Sequence, residues 1–371
     1  MRLKMNKKRC FIIIFYIFIC LFSLIGCTRM RTVDKLSMIH VFGLDKEGDE
    51  LIGTALYPDY TKDKTVEDIQ YLKEKTVAGN LFYQEMGKHT STPITLAKIR
   101  VLVLGKEYAE SGIDDMVKRF IINPELGTRI QVVVSEDPAE ETLKEFSKGN
   151  SLTLLELIEH NMTNKYLPET NLHYFLNHYY GEGMDPFVPV IKLDENKKVM
   201  VEGIAIFKGD KLKLSLNEEK TFIFSTLKDK KKEGLLKIEI EHEDKKGLVI
   251  VRGSKSKKNW RLVNGKYNQP ELNLTLNLEW TIRQMPDWIN ISKESDIELL
   301  KKLVTDKVKE KVEDLFGILK ENEVDPLGIG NIVRSKKRDW KEKEFYQTYP
   351  ELPINVKVNL EIIHSELNIN S

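Results

Sequence analysis

The chain has 371 residues, 41% of them hydrophobic and 31% charged, with a formal net charge of +1. That length provides for two or three domains, each with its own core. So nearly neutral a chain has no general electrostatic drive toward nucleic acid, which sets nucleic-acid partners aside.

The first element in chain order is a secretory signal over residues 1–26. Its basic start holds Arg2, Lys4, Lys7, Lys8 and Arg9 with no acid. The apolar run "FIIIFYIFICLFSLI" follows, 15 residues from Phe11 to Ile25, or 18 counted from Cys10 to Cys27. A permanent helical span needs about 20, so the run fits a cleaved signal. Removing it takes five cations and no acid, which shifts the net charge from +1 to −4. Cys10 and Cys20 leave with the signal. The one remaining cysteine, Cys27, forms neither an internal disulfide nor a cysteine metal cluster. Behind Leu24-Ile25-Gly26 it fits the lipobox of bacterial lipoproteins: small Gly26 admits the peptidase to the Gly26–Cys27 bond, and the thiol carries a diacylglycerol. Acylation of the new α-amine stays open. Buried acyl methylenes contribute about 0.8 kcal/mol each, and two chains suffice for stable anchoring. The alternative is an uncleaved signal anchor with an unmodified Cys27. In both cases the body faces outward and is tethered to a membrane.

Beyond Met38 the periodicities alternate. "MIHVFGLD" and "ELIGTALYP" predict two strands of a hairpin turning at Lys46-Glu47-Gly48. "DYTKDKTVEDIQYLKEK" reads as a polar excursion. "LAKIRVLVLG" contains a buried strand, and "EYAESGIDDMVKRFII" a helix with Ile113, Met116, Val117 and Phe120 on one face. "RIQVVVSE" predicts a strand, and Pro138 opens the helix "AEETLKEF". Helices follow over Leu152–Asn164 and Asn171–Tyr180. "FVPVIKLD" predicts a strand whose flanking Pro186 and internal Pro189 suggest a sheet edge.

From Val199 the pattern turns to long alternating strands. "KVMVEGIAIFK" and "KLKLSL" flank a Gly209-Asp210 turn, a hairpin signal. "LLKIEIEHE", "KKGLVIVRG" and "NWRLVNGKYN" come next, and Phe222, Phe224, Trp260 and Trp280 are assigned to strand positions in the core. In "ELNLTLNLEWTIRQ", Leu272, Leu274, Leu276, Leu278, Trp280 and Ile282 alternate with polar residues. A helix over residues 295–324 then starts at a capping box, Ser295 with Glu298. It carries the stripe Ile297, Leu300, Val304, Val308, Val312, Leu315 and Leu319 and stops at Asp325-Pro326. "LPINVKVNLEIIHSE" gives a last strand. The fold class is α+β and multidomain, with mixed or antiparallel sheets, packed helices and a long helix near the C-terminus. The polar turn at Asp194–Lys198 divides an N-terminal domain, 27–197, possessing one or two subdomains, from a C-terminal domain, 198–371.

Few motifs carry chemistry. In "DPLGIGNIVRSKKRDW", Gly328 and Gly330 mimic a phosphate loop, but Val333 stands where the third glycine belongs and a helix precedes the segment, not a strand. It reads as a helix stop. Arg334, Lys336, Lys337 and Arg338 beside Trp340 form a basic run that reads as a solvated face or as a contact for anionic lipid or a partner. Glu156 and His160 share a helix face without a second histidine at zincin spacing. His173 and His178 lie about 140° apart around their helix. There is no G-x-S-x-G, and an acylated Cys27 is no nucleophile. These residues predict no enzyme, no metal and no cofactor.

The order of segments then becomes specific. The lipobox, "LSMIHVFGLDK", "LAKIRVLVLGKEYAESGIDDMVKRF" with "RIQVVVSEDPAEETL", "VEGIAIFKGDKLKLSL" and "VDPLGIGNIVRSKKRDW" resemble the C-subunit lipoproteins of spore germinant receptors, the Ger(x)C family. Its most specific pieces are Gly203–Leu212 and Asp325–Gly330; Thr28 and Arg29 stand where the family usually has tryptophan and aspartate. The resemblance implies a lipid-anchored, non-enzymatic subunit on the outer face of the inner spore membrane, beside two integral-membrane receptor subunits, acting in nutrient-triggered germination. The readings set against it are an extracytoplasmic lipoprotein that binds a small molecule and one that acts on the cell wall.

Overall fold

The computed structural model describes residues 36–365 apart from 59–68, 78, 123–125, 128, 149–152, 165, 231–232 and 265–269. Gly26, Cys27 and the whole signal lie outside the described residues. The strands are β1 (Ser37–Met38), β2 (Val41–Glu47), β3 (Glu50–Pro58), β4 (Ile69–Thr76), β5 (Ile94–Thr95), β6 (Val101–Gly105), β7 (Gln131–Ser135), β8 (Phe187–Leu193), β9 (Val199–Lys208), β10 (Lys211–Leu216), β11 (Leu235–His242), β12 (Lys245–Asn264), β13 (Pro270–Gln284) and β14 (Ile354–Ser365). The helices are α1 (Phe82–Gly87), α2 (Lys106–Ser111), α3 (Asp114–Ile122), α4 (Ala139–Phe146), α5 (Thr153–Asn164), α6 (Leu172–Tyr180), α7 (Glu218–Lys228), α8 (Glu294–Glu321), α9 (Ile329–Arg334) and α10 (Glu342–Thr348). The fold is α+β with mixed sheets, as the sequence pattern predicts.

A first sheet runs β10-β9-β8-β7-β6-β2-β3-β4. Its centre, β2-β6-β7-β8, is parallel and its flanks are antiparallel. Alternation along each strand sends side chains to two different cores. Val101 and Val103 face one side with Val133, Ile204 and Ile206. Leu102 and Leu104 face the other with Val132, Val134 and Phe207, where α1, α2, α3 and α6 cover them through Phe82, Tyr108, Val117 and Phe175. Buried Asp45 starts α4 from a distance: its Oδ1 and Oδ2 accept from the amides of Ala139 and Glu140, each at 2.8 Å. Pro138 occupies the cap position without a side-chain bond of its own.

The second sheet runs β11-β12-β13-β14, antiparallel except for the parallel pair β13–β14. Leu272, Leu274, Leu276, Leu278, Trp280 and Ile282 all point inward, against α8. From α8, Leu300, Val304, Val308, Val312, Leu315 and Leu319 are buried. Helix α7 lies between the two sheets and buries every residue from Thr221 to Leu227, so one core runs continuously from the first sheet into the second.

Several local expectations differ from the structure. The polar excursion contains a strand, β4, at the edge of the first sheet. The helix predicted across "EYAESGIDDMVKRFII" breaks at Gly112, φ 120°, into α2 and α3. Strand β8 is internal. Pro189 is tolerated there because the ladder to β7 covers only Val190 and Ile191, so no donor is needed at residue 189. Phe222 and Phe224 stand on α7, whose N-cap Asn217 accepts from the Lys220 amide at 3.1 Å. The capping box at Ser295 does not form: α8 begins at Glu294 with Lys293 as an uncapped N-cap, and the Ser295 hydroxyl donates to Asp296 instead. Helix α8 ends at Glu321, and Ile297, at 37% exposure, falls outside the buried stripe. Hairpin β9–β10 belongs to the first sheet, through the pairing of β8 with β9. Among the described residues no helix is long and apolar enough to cross a membrane.

Candidate functional site

The two segments most specific in the sequence, Gly203–Leu212 and Asp325–Gly330, meet at one seam. The first forms β9, its turn and the start of β10, and ends β9 on Lys208. The second leaves α8 and enters α9. Between them stands Asp185, just ahead of β8: its Oδ2 accepts from Lys208 Nζ at 3.0 Å and from the Asp325 amide at 2.7 Å. The Asp185 amide in turn donates to the Asp325 carbonyl at 3.0 Å.

Asp325 is fully buried and spends its carboxylate on its own loop. Oδ1 accepts from the Ile329 amide at 2.8 Å; Oδ2 accepts from the Gly330 amide at 2.7 Å and from the Tyr346 hydroxyl at 3.3 Å. Gly328 takes a left-handed conformation, φ 74°, which glycine adopts without steric cost. Gly330 is required for a different reason: a Cβ there would lie 2.8 Å from Gly183 Cα. The backbones of Gly183 and Gly330 pass side by side, and the Asn331 amide donates to the Gly183 carbonyl at 2.9 Å. The Gly183 amide donates to Glu342 Oε1 at 3.0 Å, and the Tyr349 hydroxyl to the Val324 carbonyl at 3.1 Å.

Burial dominates the electrostatics. It pushes the Asp325 carboxyl up to about 7 against the pull of the two amides, and neighbouring Asp185 adds to the rise. Asp185 is also raised by burial, with Lys208 opposing. Lys228, on α7, is lowered to about 8 by burial and then by Lys258. Its ammonium lies 3.4 Å from the Pro326 carbonyl and 5.4 Å above the Phe187 ring. His178, tilted against the same ring, is lowered to about 4 by burial and by Lys228. Lys208 sits 4.0 Å over the Tyr346 ring, and burial raises that tyrosine's hydroxyl. Chemically this is a clasp: charged groups are matched to each other and to backbone, and they bind the start of β8 and the end of β9 to the loop after α8.

The other sequence candidates stand apart from it. Glu156 and His160 are both exposed on α5, and His173 is exposed on α6. Arg334 pairs with Glu182 at 3.3 Å and lies 5.9 Å from the Trp340 ring. The roles of Asp185, Lys208, Lys228 and Tyr346 are not visible in the sequence reading. One signal could have pointed to the first: "MDPF" and "VDPL" repeat an Asp-Pro pair behind an apolar residue, and the structure joins the two aspartates.

Two family models cover nearly all of this architecture. "Spore germination protein N-terminal domain" matches residues 29–193, and "Spore germination B3/GerAC like, C-terminal" matches residues 202–366. The chain belongs to the Ger(x)C family of spore germination proteins. A relative in that family, spore germination protein GerQC of Bacillus cereus, is 24% identical over 346 residues, covering 92% of this chain and 95% of that protein. The crystal structure of the GerBC protein has the same fold, with a TM-score of 0.58 at 17% identity over 87% of this chain and 96% of that one. The Ger(x)C fold therefore carries the clasp in this chain between its two matched regions: Asp185 and Asp325 fall one in each.

Proposed function

We propose that this chain is the lipid-anchored, non-enzymatic subunit of a nutrient germinant receptor complex that triggers spore germination. The observation that carries the reading is that the two Ger(x)C family models match residues 29–193 and 202–366, directly behind the Leu24-Ile25-Gly26-Cys27 pattern read here as a lipobox. In this reading the signal of residues 1–26 is cut at Gly26–Cys27, and the Cys27 sulfur bears a diacylglycerol. The body faces outward from the inner membrane of the spore and works with two integral-membrane receptor subunits, without a cofactor. Division near residue 198 separates two sequence modules, 27–197 and 198–371, with the first hairpin of the second module completing the sheet of the first. The clasp supports a binding role over a catalytic one, because its acids are closed in by backbone and by each other.

The test is Cys27→Ala in the native sporulating host. The variant is expected to leave the membrane fraction and to abolish or greatly slow the response to the nutrient that this receptor serves. Membrane retention together with normal germination would refute the proposal.

A further inference from the structure

We infer that the end of the first sheet formed by the N-termini of its parallel strands is a docking face for anionic phospholipid headgroups. The inference rests on the membrane tether proposed above and adds to it a second, electrostatic contact.

Register fixes which residues share that end. Val41, Val101 and Gln131 pair across β2, β6 and β7, and the pairing of Val134 with Val190 carries the level on to β8. Arg100, Arg129 and the Gly183–Asp185 turn therefore lie at one level, just ahead of three adjacent strands spaced about 4.8 Å apart. Helix α9 docks on that turn through Asn331 and Gly183, and leads directly into Lys336, Lys337 and Arg338. Lys98, Arg100, Arg129, Lys336 and Arg338 are exposed and Lys337 is half-buried. None of the six has a carboxylate partner among the described residues. Three separate stretches of chain thus supply unpaired cations to one end. Of the acids near them, Glu182 is engaged by Arg334, Asp114 by Lys118 and Asp185 within the clasp, while Asp339 is exposed beside Arg338. Asp210 lies against the link between α2 and α3, where its carbonyl accepts from the Ile113 amide.

The occupant follows from where the chain enters. Ser37 begins β1, and β2 starts four residues later at the same end of the sheet. Only three strand spacings, about 15 Å, separate β2 from β8. Cys27 precedes Ser37 by ten residues, a contour of at most about 35 Å. An acyl anchor at Cys27 is thus joined to the described fold through a segment that enters it at this end of the sheet. Unpaired lysines and arginines within a Debye length of anionic lipid are attracted to it and released by salt.

The experiment uses the mature chain, residues 27–371, with Cys27→Ser so that no lipid contributes. It is sedimented with phosphatidylcholine vesicles and with vesicles containing about one-third phosphatidylglycerol. Retention is expected only on the anionic vesicles, and is expected to fall steeply between 50 and 300 mM salt. Lys336→Glu/Lys337→Glu/Arg338→Glu should weaken it about tenfold or more. The same charge change on the outer face of the second sheet, Lys257→Glu/Arg261→Glu/Lys357→Glu, should leave it unchanged. Thermal unfolding of each variant establishes that it is folded. Absence of retention at low salt overturns the inference, as does equal retention on neutral vesicles or equal loss in the control variant. Because the anchor is missing from every sample, such a failure leaves the Cys27 reading untouched.

Discussion

Asp325 shows how much one buried carboxylate organises. It accepts from two amides and a tyrosine while its own amide and carbonyl engage Asp185. Asp325→Asn keeps the shape but turns an NH2 toward a backbone donor, so at pH 5 it is expected to destabilise the fold by about 1–3 kcal/mol. Its pH dependence is distinctive. Folding raises this carboxyl from an ordinary 3.8 to about 7, so the protonated form is favoured in the native state. That contribution is fully present below about pH 4 and is lost as pH rises through about 7. His178, lowered to about 4, works in the opposite direction over part of the same window, losing its contribution as pH falls from about 6.5 through 4. The informative quantity is therefore the difference between the wild type and Asp325→Asn. Urea titrations from pH 5 to pH 8 should show that difference narrowing, and a constant gap would show that Asp325 does not titrate in this range.

At the scale of elements, α8 separates what its sequence advertises from what holds it. Leu315 is 1% exposed, against the second sheet, and Leu315→Ala should cost about 2–5 kcal/mol. Ser295→Ala should change stability by less than about 0.5 kcal/mol, since the serine caps nothing; a loss near 1 kcal/mol would mean that the capping box forms after all. The long strands and α8 were legible because one apolar face repeats at a fixed period. Helix α7 was not: "TFIFSTL" is aromatic and β-branched, the composition of a strand, and burial on all sides removes the periodicity that betrays a surface helix. Strand β4 was hidden for the converse reason, since as a half-exposed edge it keeps the lysines and glutamates of a loop. Within the clasp, Asp325–Gly330 stood out for its glycines, while Asp185 offered only its repeated Asp-Pro pair and nothing marked Lys208 as that aspartate's partner. Their roles exist only once some 140 residues of intervening chain bring Asp185 to Asp325.

For the whole molecule, the decisive fact is that a core shared through α7 joins both sheets. Produced as separate fragments, 27–197 and 198–371 are expected to be insoluble or unfolded, because the cut removes β9 and β10 from the first sheet and leaves Phe187, Val188 and Val190 along an open edge. Size-exclusion chromatography and circular dichroism would settle this, and a monomeric 27–197 with a cooperative melt would contradict it. The placement of that hairpin also has a temporal consequence. As the polypeptide emerges from the ribosome, the earlier sheet stays incomplete until Leu216 has appeared, and the loop that locks it, around Asp325, arrives more than a hundred residues later. The N-terminal half must therefore wait, exposed, for its own closing pieces, and a helper that shields apolar edges would matter most to this protein during that interval.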